Sequence, residues 1–138
     1  MIQTTFRHIA AERLKEIDPE SYEELEKLVN PPIIDLDLLP KVISDITNIV
    51  AVNPENSPFI LAVVYYLYAP HKLHFKTGRC RNGIRQIICT ALKWNDRPVV
   101  NYYLDIMFIY YKNPRWAAKV KEMADTILKQ IITYENGK

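Results

Sequence analysis

The residues best suited to binding chemistry lie together in the middle of the chain, in HKLHFKTGRCRNGIRQ at 71–86. This segment holds five cationic side chains and two histidines, and it contains no carboxylate. The cations are Lys72, Lys76, Arg79, Arg81 and Arg85. Such a composition predicts a site for an anion or for an acidic partner.

A metal site is the first chemistry to consider, because His71, His74, Cys80 and Cys89 follow the spacing H-x2-H-x5-C-x8-C. Zinc accepts these ligands in a tetrahedron, but the closely spaced pairs that prearrange its ligands, such as C-x2-C, are absent. The neighbouring cations would also oppose a divalent ion. We therefore expect no metal, no cofactor and free thiols in a reducing compartment.

Catalytic motifs are absent: the sequence contains no G-x-S-x-G, H-E-x-x-H or phosphate-binding glycine loop. Asn101 and Asp105 lie one turn apart in an otherwise apolar stretch and form the one pair with a catalytic character. A buried pair that hydrogen-bonds a tyrosine hydroxyl is the favoured interpretation. The sequence therefore predicts a protein that is not an enzyme and has no small-molecule substrate.

Nucleic acid is one interpretation of the basic segment. Arg81 and Arg85 are one turn apart, and Asn82-Gly83 would present backbone N–H groups to a phosphate at a helix start. However, the link between the flanking helices is too long for a helix-turn-helix. The sequence pI of about 8.5 is also below the range typical of DNA-binding domains. These features favour a nonspecific DNA contact over a sequence-specific one.

A protein partner is the other interpretation, because charge is divided along the chain. Residues 1–55 carry eleven acidic and five basic side chains, whereas residues 56–95 carry six basic side chains and no acidic one. The acidic front of one copy could meet the basic segment of the next in a head-to-tail contact, which closes into a ring where the rotation permits. Packing of the same two regions within one molecule is the alternative.

The elements that must position these residues are predicted to be helices. Asp18-Pro19, Ser57-Pro58 and Asn113-Pro114 each place an N-cap residue before a proline, and only three glycines are available for tight turns. The apolar spacing predicts helices over about 4–17, 19–30, 40–52, 58–69, 82–94, 97–112 and 114–135. The sequence thus predicts an all-α fold, a single compact bundle of about six or seven helices with an extended proline-bounded arm.

Within this single domain we expect an acidic helical pair at 1–30, the arm at 31–40 and the main body at 41–138. The apolar face of the first helix is predicted to hold Phe6, Ala10, Leu14 and Ile17.

Two helices, 59–69 and 99–111, are apolar almost all round and should therefore be central. The arm NPPIIDLDLLP packs either on its own body or across a neighbouring subunit. Its apolar residues and the tyrosine-rich helix provide the predicted interface: Ile33, Ile34, Leu36, Tyr102 and Tyr103.

The whole chain resembles the small all-helical connector or ring proteins of tailed phages. The resemblance lies in the acidic helical start, the arm NPPIIDLDLLP and the tyrosine-rich NYYLDIMFIYYKNPRW at 101–116. It implies a symmetric ring at the portal or in the tail, which bridges larger components, has no catalytic activity and faces the passing genome with its lumen. It implies no role for any individual residue.

The functional prediction is therefore a structural or adaptor protein of a multi-subunit assembly, most concretely a phage head-tail connector. Its expected partners are other copies of itself and larger assembly proteins. A small nucleic-acid-binding accessory protein that uses 72–85 is the alternative. We expect a cytoplasmic or virion location, because the start lacks a signal-peptide pattern and the apolar run at 59–69 is too short to cross a bilayer.

Overall fold

The computed structural model describes residues 2–75, 82–95 and 97–137. Over these residues the chain forms eight α-helices and one 3₁₀ turn, and it forms no strand. This confirms the predicted all-α fold. The helices are α1 (Ile2–Ile17), α2 (Pro19–Val29), α3 (Leu39–Ile49), α4 (Ser57–Tyr68), α5 (Pro70–Phe75), α6 (Ile84–Leu92), α7 (Arg97–Tyr111) and α8 (Pro114–Asn136), and the 3₁₀ turn is Leu36–Leu38.

Two of the predicted helix starts are capped as expected. The Asp18 carboxylate accepts a hydrogen bond from the Ser21 N–H at 3.2 Å, and the Asn113 side-chain oxygen accepts one from the Arg115 N–H at 2.9 Å. The third start differs, because Ser57 is already helical and its hydroxyl donates to the Asn53 carbonyl at 2.7 Å. Proline in the first turn fits all three starts, since it has no N–H to leave unpaired.

The centre of the molecule is α4, as its sequence predicts. From Ile60 to Tyr65 every side chain is buried, and α4 packs against both α7 and α8. Helices α3, α5, α6, α7 and α8 complete the core with one face each. Those faces include Val42, Ile43 and Ile46 of α3, Ile84 and Ile88 of α6, and Val120, Ala124 and Ile127 of α8.

The second apolar helix, α7, is not buried all round. Val100, Leu104 and Met107 form its one buried face, whereas Tyr102 is 62% exposed. Asn101 and Asp105 are also exposed, so the prediction of a buried polar pair is wrong. An apolar composition indicates that a helix is buried to a large extent, but it does not indicate how many neighbouring helices cover it.

The segment predicted as an extended arm packs on its own body. The Ile33 N–H donates to the Leu67 carbonyl at 3.1 Å, and the Tyr68 hydroxyl donates to the Asp35 carbonyl at 3.0 Å. The irregular part is shorter than predicted, because the 3₁₀ turn begins at Leu36 and α3 begins at Leu39. Proline in the first turn of α3 is compatible with helix there.

Helix α5 has no counterpart among the sequence predictions. Its six residues, PHKLHF, begin with a proline at the first helical position and bury Pro70 and Leu73. A helix this short contains fewer than two turns, so its apolar spacing is too brief to recognise. It nevertheless matters for the architecture, because α2 packs against α5.

Candidate assembly interface

The first candidate surface is the outer face of α1. Phe6, Ile9 and Ile17 are 70%, 54% and 71% exposed, and with Arg13 they recur at steps of three or four residues. They therefore share one side of the helix, which we call the α1 stripe (Phe6, Ile9 and Ile17). Helix α1 packs against α2, and Leu14 is the one half-buried side chain between Phe6 and Ile17. Most of the predicted apolar face thus lies outside the core.

The α1 stripe lies within an acidic helical pair. Residues 6–29 include seven acidic and four basic side chains. Hydrogen bonds from the Ser21 hydroxyl, at 2.7 Å, and from its N–H lower the pKa of Asp18 at the turn between the two helices. The acids are Glu12, Glu16, Asp18, Glu20, Glu23, Glu24 and Glu26, and the bases are Arg7, Arg13, Lys15 and Lys27.

The second candidate surface is an aromatic cluster built by three different helices. The Trp116 ring meets the edge of Phe59 with centroids 5.9 Å apart and that of Tyr110 with centroids 5.6 Å apart. Together with Pro58 and Ile106 these rings line a groove of about 490 Å³. We call it the aromatic groove (Pro58, Phe59, Ile106, Tyr110 and Trp116).

The charged side chains that line the aromatic groove are of both signs. Lys119 lines the groove directly, and Glu55 lines its other side. Tyr110 is 48% exposed, so the groove presents accessible aromatic surface.

A second groove, of about 470 Å³, lies where α2 meets the body and is lined by Tyr66, His74 and Tyr111, among others. The His74 and Tyr111 rings are 5.7 Å apart. Burial raises the pKa of Tyr111 to about 12, with a smaller contribution from Tyr66, and burial lowers the pKa of His74. At neutral pH this groove therefore presents protonated phenols and a neutral imidazole.

The predicted anion site is only partly within the described residues. Lys72 is half-buried on α5, and Arg85 is exposed in the first turn of α6. Lys76, Arg79 and Arg81 lie outside the described residues, so convergence of the five cations stays a prediction. Gly83 enters α6 with φ of +101°, a left-handed conformation that glycine adopts without strain.

The four metal-type residues are distributed in the same way. His71 and His74 lie on α5, Cys89 is a half-buried free thiol on α6, and Cys80 lies outside the described residues. In the described part of the chain no three histidine, cysteine or carboxylate side chains are grouped as metal ligands.

The predicted interface residues of the arm divide between core and surface. Ile33 is 6% exposed and belongs to the core, so it offers little area to another molecule. Ile34, the next residue, is 68% exposed, and Leu36 is half-buried against the core. Two adjacent isoleucines thus have opposite environments, and only Ile34 presents a largely accessible side chain.

On α7, Tyr102 is exposed and Tyr103 is half-buried, and their rings are 5.2 Å apart. The Tyr103 ring also lies 5.1 Å from Trp94, which follows Lys93, the C-cap residue of α6. These contacts join the end of α6 to the start of α7. Tyr102 remains accessible, whereas Tyr103 contributes mostly to packing.

Neither the α1 stripe nor the aromatic groove was predicted from the sequence as an interface, although Phe6 and Ile17 of the stripe belong to the predicted apolar face of the first helix. A signal for the stripe existed, since Arg13 interrupts it and acids follow on both helices, which is unusual for a core-facing helix. The groove had no comparable signal. Phe59 is distant in sequence from Tyr110 and Trp116, and each of the three residue types is equally common in a protein core.

Comparison with protein-family models, with curated proteins and with solved structures finds no match for this chain. In the ranges that the structure describes, no helix is both long and apolar enough to cross a bilayer.

Proposed function

We propose that this protein is a structural or adaptor subunit of a multi-subunit assembly, most concretely a ring or head-tail connector component of a phage virion. Its mechanism is non-covalent. Apolar surface contributes most of the association free energy, and charge selects the orientation of neighbouring subunits.

The α1 stripe is the observation that carries this proposal. Its three large apolar side chains are each more than half exposed, on a helix that adds no fully buried side chain between Phe6 and Ile17. Fully burying one such side chain contributes about 1.5–3 kcal/mol, so a partner that covers the stripe gains substantial free energy. Scattered apolar residues need no partner, but a row along one helix face is typical of a docking helix.

The charges around the stripe are suited to orientation rather than to affinity. The ion pair between Arg13 and Glu16, 3.1 Å apart, is about two-thirds exposed on both sides, and such surface pairs contribute about 0–1 kcal/mol. The acidic excess of the pair lies on α2, because α1 carries three basic and two acidic side chains whereas Asp18 and α2 carry five acidic and one basic. The surface of α2 would attract basic partners to the neighbourhood of the stripe and repel acidic ones.

Light scattering after size-exclusion chromatography tests the proposal over a series of protein concentrations, in low and high salt. We expect a mass above the 16.2 kDa monomer that grows with concentration and persists in high salt, since apolar burial is not screened. A 16.2 kDa species under all these conditions would contradict self-assembly.

A short DNA duplex added in a second series tests the alternative. A monomer that binds the duplex in low salt and releases it steeply as salt rises would indicate counterion release from phosphate contacts. That result would favour a nucleic-acid-binding protein that uses 72–85 over an assembly subunit.

A further inference from the structure

Two adjoining grooves beside α5 form a surface that the proposed assembly does not use. The first is the groove of about 470 Å³ where α2 meets the body, and we call it the α2 groove (Lys27, Tyr66, His74, Tyr111 and Lys121, among others). The second has a volume of about 440 Å³, and we call it the α7 groove (Leu73, His74, Phe75, Phe108, Tyr111 and Lys112). His74 and Tyr111 line both grooves, so the two adjoin at this pair of rings.

Rings of five side chains line the two grooves, and three of these rings follow one another. The centroids of Phe75 and His74 are 6.3 Å apart, and those of His74 and Tyr111 are 5.7 Å apart. The ring planes are tilted by 59° and 73°, so these rings are not stacked face to face on one another. Phe75 is 41% exposed, and its ring is therefore accessible to a planar group from solution.

The lysines that line the two grooves have no acidic counterpart there. They are Lys27 and Lys121 in the α2 groove and Lys112 in the α7 groove, and among the described residues no Asp or Glu lines either groove. Acids stand outside the lining, on α2 and at Asp105 of α7. Burial raises the pKa of Tyr66, and the charge of Asp125 adds to this effect from α8. The lining itself favours an anionic group over a cationic one.

Rings beside lysines are the combination with which proteins hold single-stranded nucleic acid, because bases stack on the rings and the backbone follows the positive charge. A duplex keeps its bases inside the stack, where the half-buried rings of His74 and Tyr111 do not reach them. An acidic peptide would pair with the lysines, but it brings no planar group for each of its charges. An unpaired strand brings a base and a phosphate together at every unit.

We infer that the α2 and α7 grooves together bind single-stranded nucleic acid. Unpaired bases lie against Phe75, His74 and Tyr111, and phosphates lie against Lys112 and Lys121. The inference goes beyond the proposed function and does not depend on assembly. It also differs from the alternative function, which uses the cations of 72–85, because it places the contact in the grooves and names an unpaired strand as the ligand.

Fluorescence anisotropy of labelled oligonucleotides tests the inference with the full chain. The single strands are oligothymidylate and its RNA counterpart, oligouridylate. A DNA duplex and an abasic oligomer, which keeps the phosphates and lacks the bases, provide the comparison at the same length. We expect a single strand to bind at least about tenfold more tightly than the duplex and the abasic oligomer, because base stacking contributes to its affinity alone.

A pair of matched variants tests the stacking. Phe75→Leu keeps an apolar side chain in the α7 groove and removes the ring, and Phe6→Leu makes the same replacement at a 70% exposed position on α1. We expect Phe75→Leu to weaken single-strand binding at least about fivefold and to leave the affinity for the abasic oligomer unchanged. Phe6→Leu should change single-strand affinity less than about twofold.

A second pair of variants tests the phosphate contacts at constant net charge. Lys112→Gln combined with Lys121→Gln removes two charges from the grooves, and Lys119→Gln combined with Lys129→Gln removes two charges from α8 outside both linings. Each phosphate contact of a single strand contributes about 0.7 to the slope of log affinity against log salt, so the groove variant should lose about 1.4 of that slope. The control should keep its slope. All four lysines are exposed, and thermal melts by circular dichroism check that every variant keeps its fold.

Several results would overturn the inference. Equal affinity for the single strands, the duplex and the abasic oligomer would indicate attraction to phosphate alone, and absence of binding by both single strands would leave the grooves without this ligand. Equal weakening by the groove variants and their controls would place the contact elsewhere. Polyglutamate that displaces the strand as well as unlabelled oligothymidylate does would indicate an acidic protein segment instead. None of these results bears on self-assembly, which light scattering measures separately.

Discussion

Ile33 and Ile34 offer a test of the fold in which two adjacent residues of identical chemistry should behave differently. Ile33 is 6% exposed, and its N–H bonds to the Leu67 carbonyl, whereas Ile34 is 68% exposed. Replacing Ile33 by alanine removes three buried carbon atoms, at about 0.8 kcal/mol each by transfer. The remaining cavity adds to this loss, so we expect destabilisation of about 3 kcal/mol. Ile34→Ala should change the free energy of unfolding by less than about 0.5 kcal/mol.

Urea denaturation followed by circular dichroism measures both changes. The midpoint of Ile33→Ala should fall with little change in the slope m, because the same surface is exposed on unfolding. Measurements at two protein concentrations separate a loss of folding stability from a loss of self-association. Equal midpoints for the two variants, or a larger effect at Ile34, would refute the packing of this segment on its own body.

Three further perturbations have expected outcomes. Asp45 is 7% exposed, and its carboxylate lies 2.6 Å from the partly hydrated Lys41 ammonium. Lys41→Met should lower the free energy of unfolding in urea melts by about 1 kcal/mol, because it leaves this carboxylate without its counterion. Lys41→Arg should restore most of the loss. Burial lowers the pKa of His74, so the unfolded chain takes up a proton that the folded chain does not, and stability should fall as pH drops below about 7. His74→Phe, which keeps a ring against Tyr111, should make that fall shallower, and an unchanged slope would contradict the assignment. Asn113→Ala removes the cap of α8 and should lower stability by about 1 kcal/mol, whereas Asn113→Asp should stay near the original value in the same melts.

The sequence predicts the helical elements well because their signals are local. Caps before proline mark the starts of α2 and α8 at the residues where the structure has them. The central position of α4 agrees with its own residues, since a helix that is apolar all round and carries no charge is typically buried. Neither prediction requires knowledge of a neighbouring element.

The surfaces are less predictable because they depend on which elements meet. The apolar face of α1 has the spacing of a core helix, and the packing of α1, which is chiefly against α2, is needed to show that this face stays exposed. On α7 the uncertainty concerns a polar residue. The sequence alone is compatible with Asp105 in a buried pair or on an exposed face, and only the positions of the neighbouring helices show that it is exposed. The aromatic groove requires three chain segments to converge, and periodicity within one segment carries no information on that convergence.

In the proposed assembly, the way in which α1 is attached would affect the rate of association. Because α1 packs chiefly against α2 and has no fully buried side chain between Phe6 and Ile17, we expect the pair to open while the body remains folded, and its amides should exchange hydrogen far faster than those of α4. A docking helix that is closed for only a fraction of the time binds with an apparent affinity reduced by that fraction. Two free subunits would then associate weakly. A growing assembly would hold each newly docked helix closed, so subunits would add to it one after another more readily than they pair in solution.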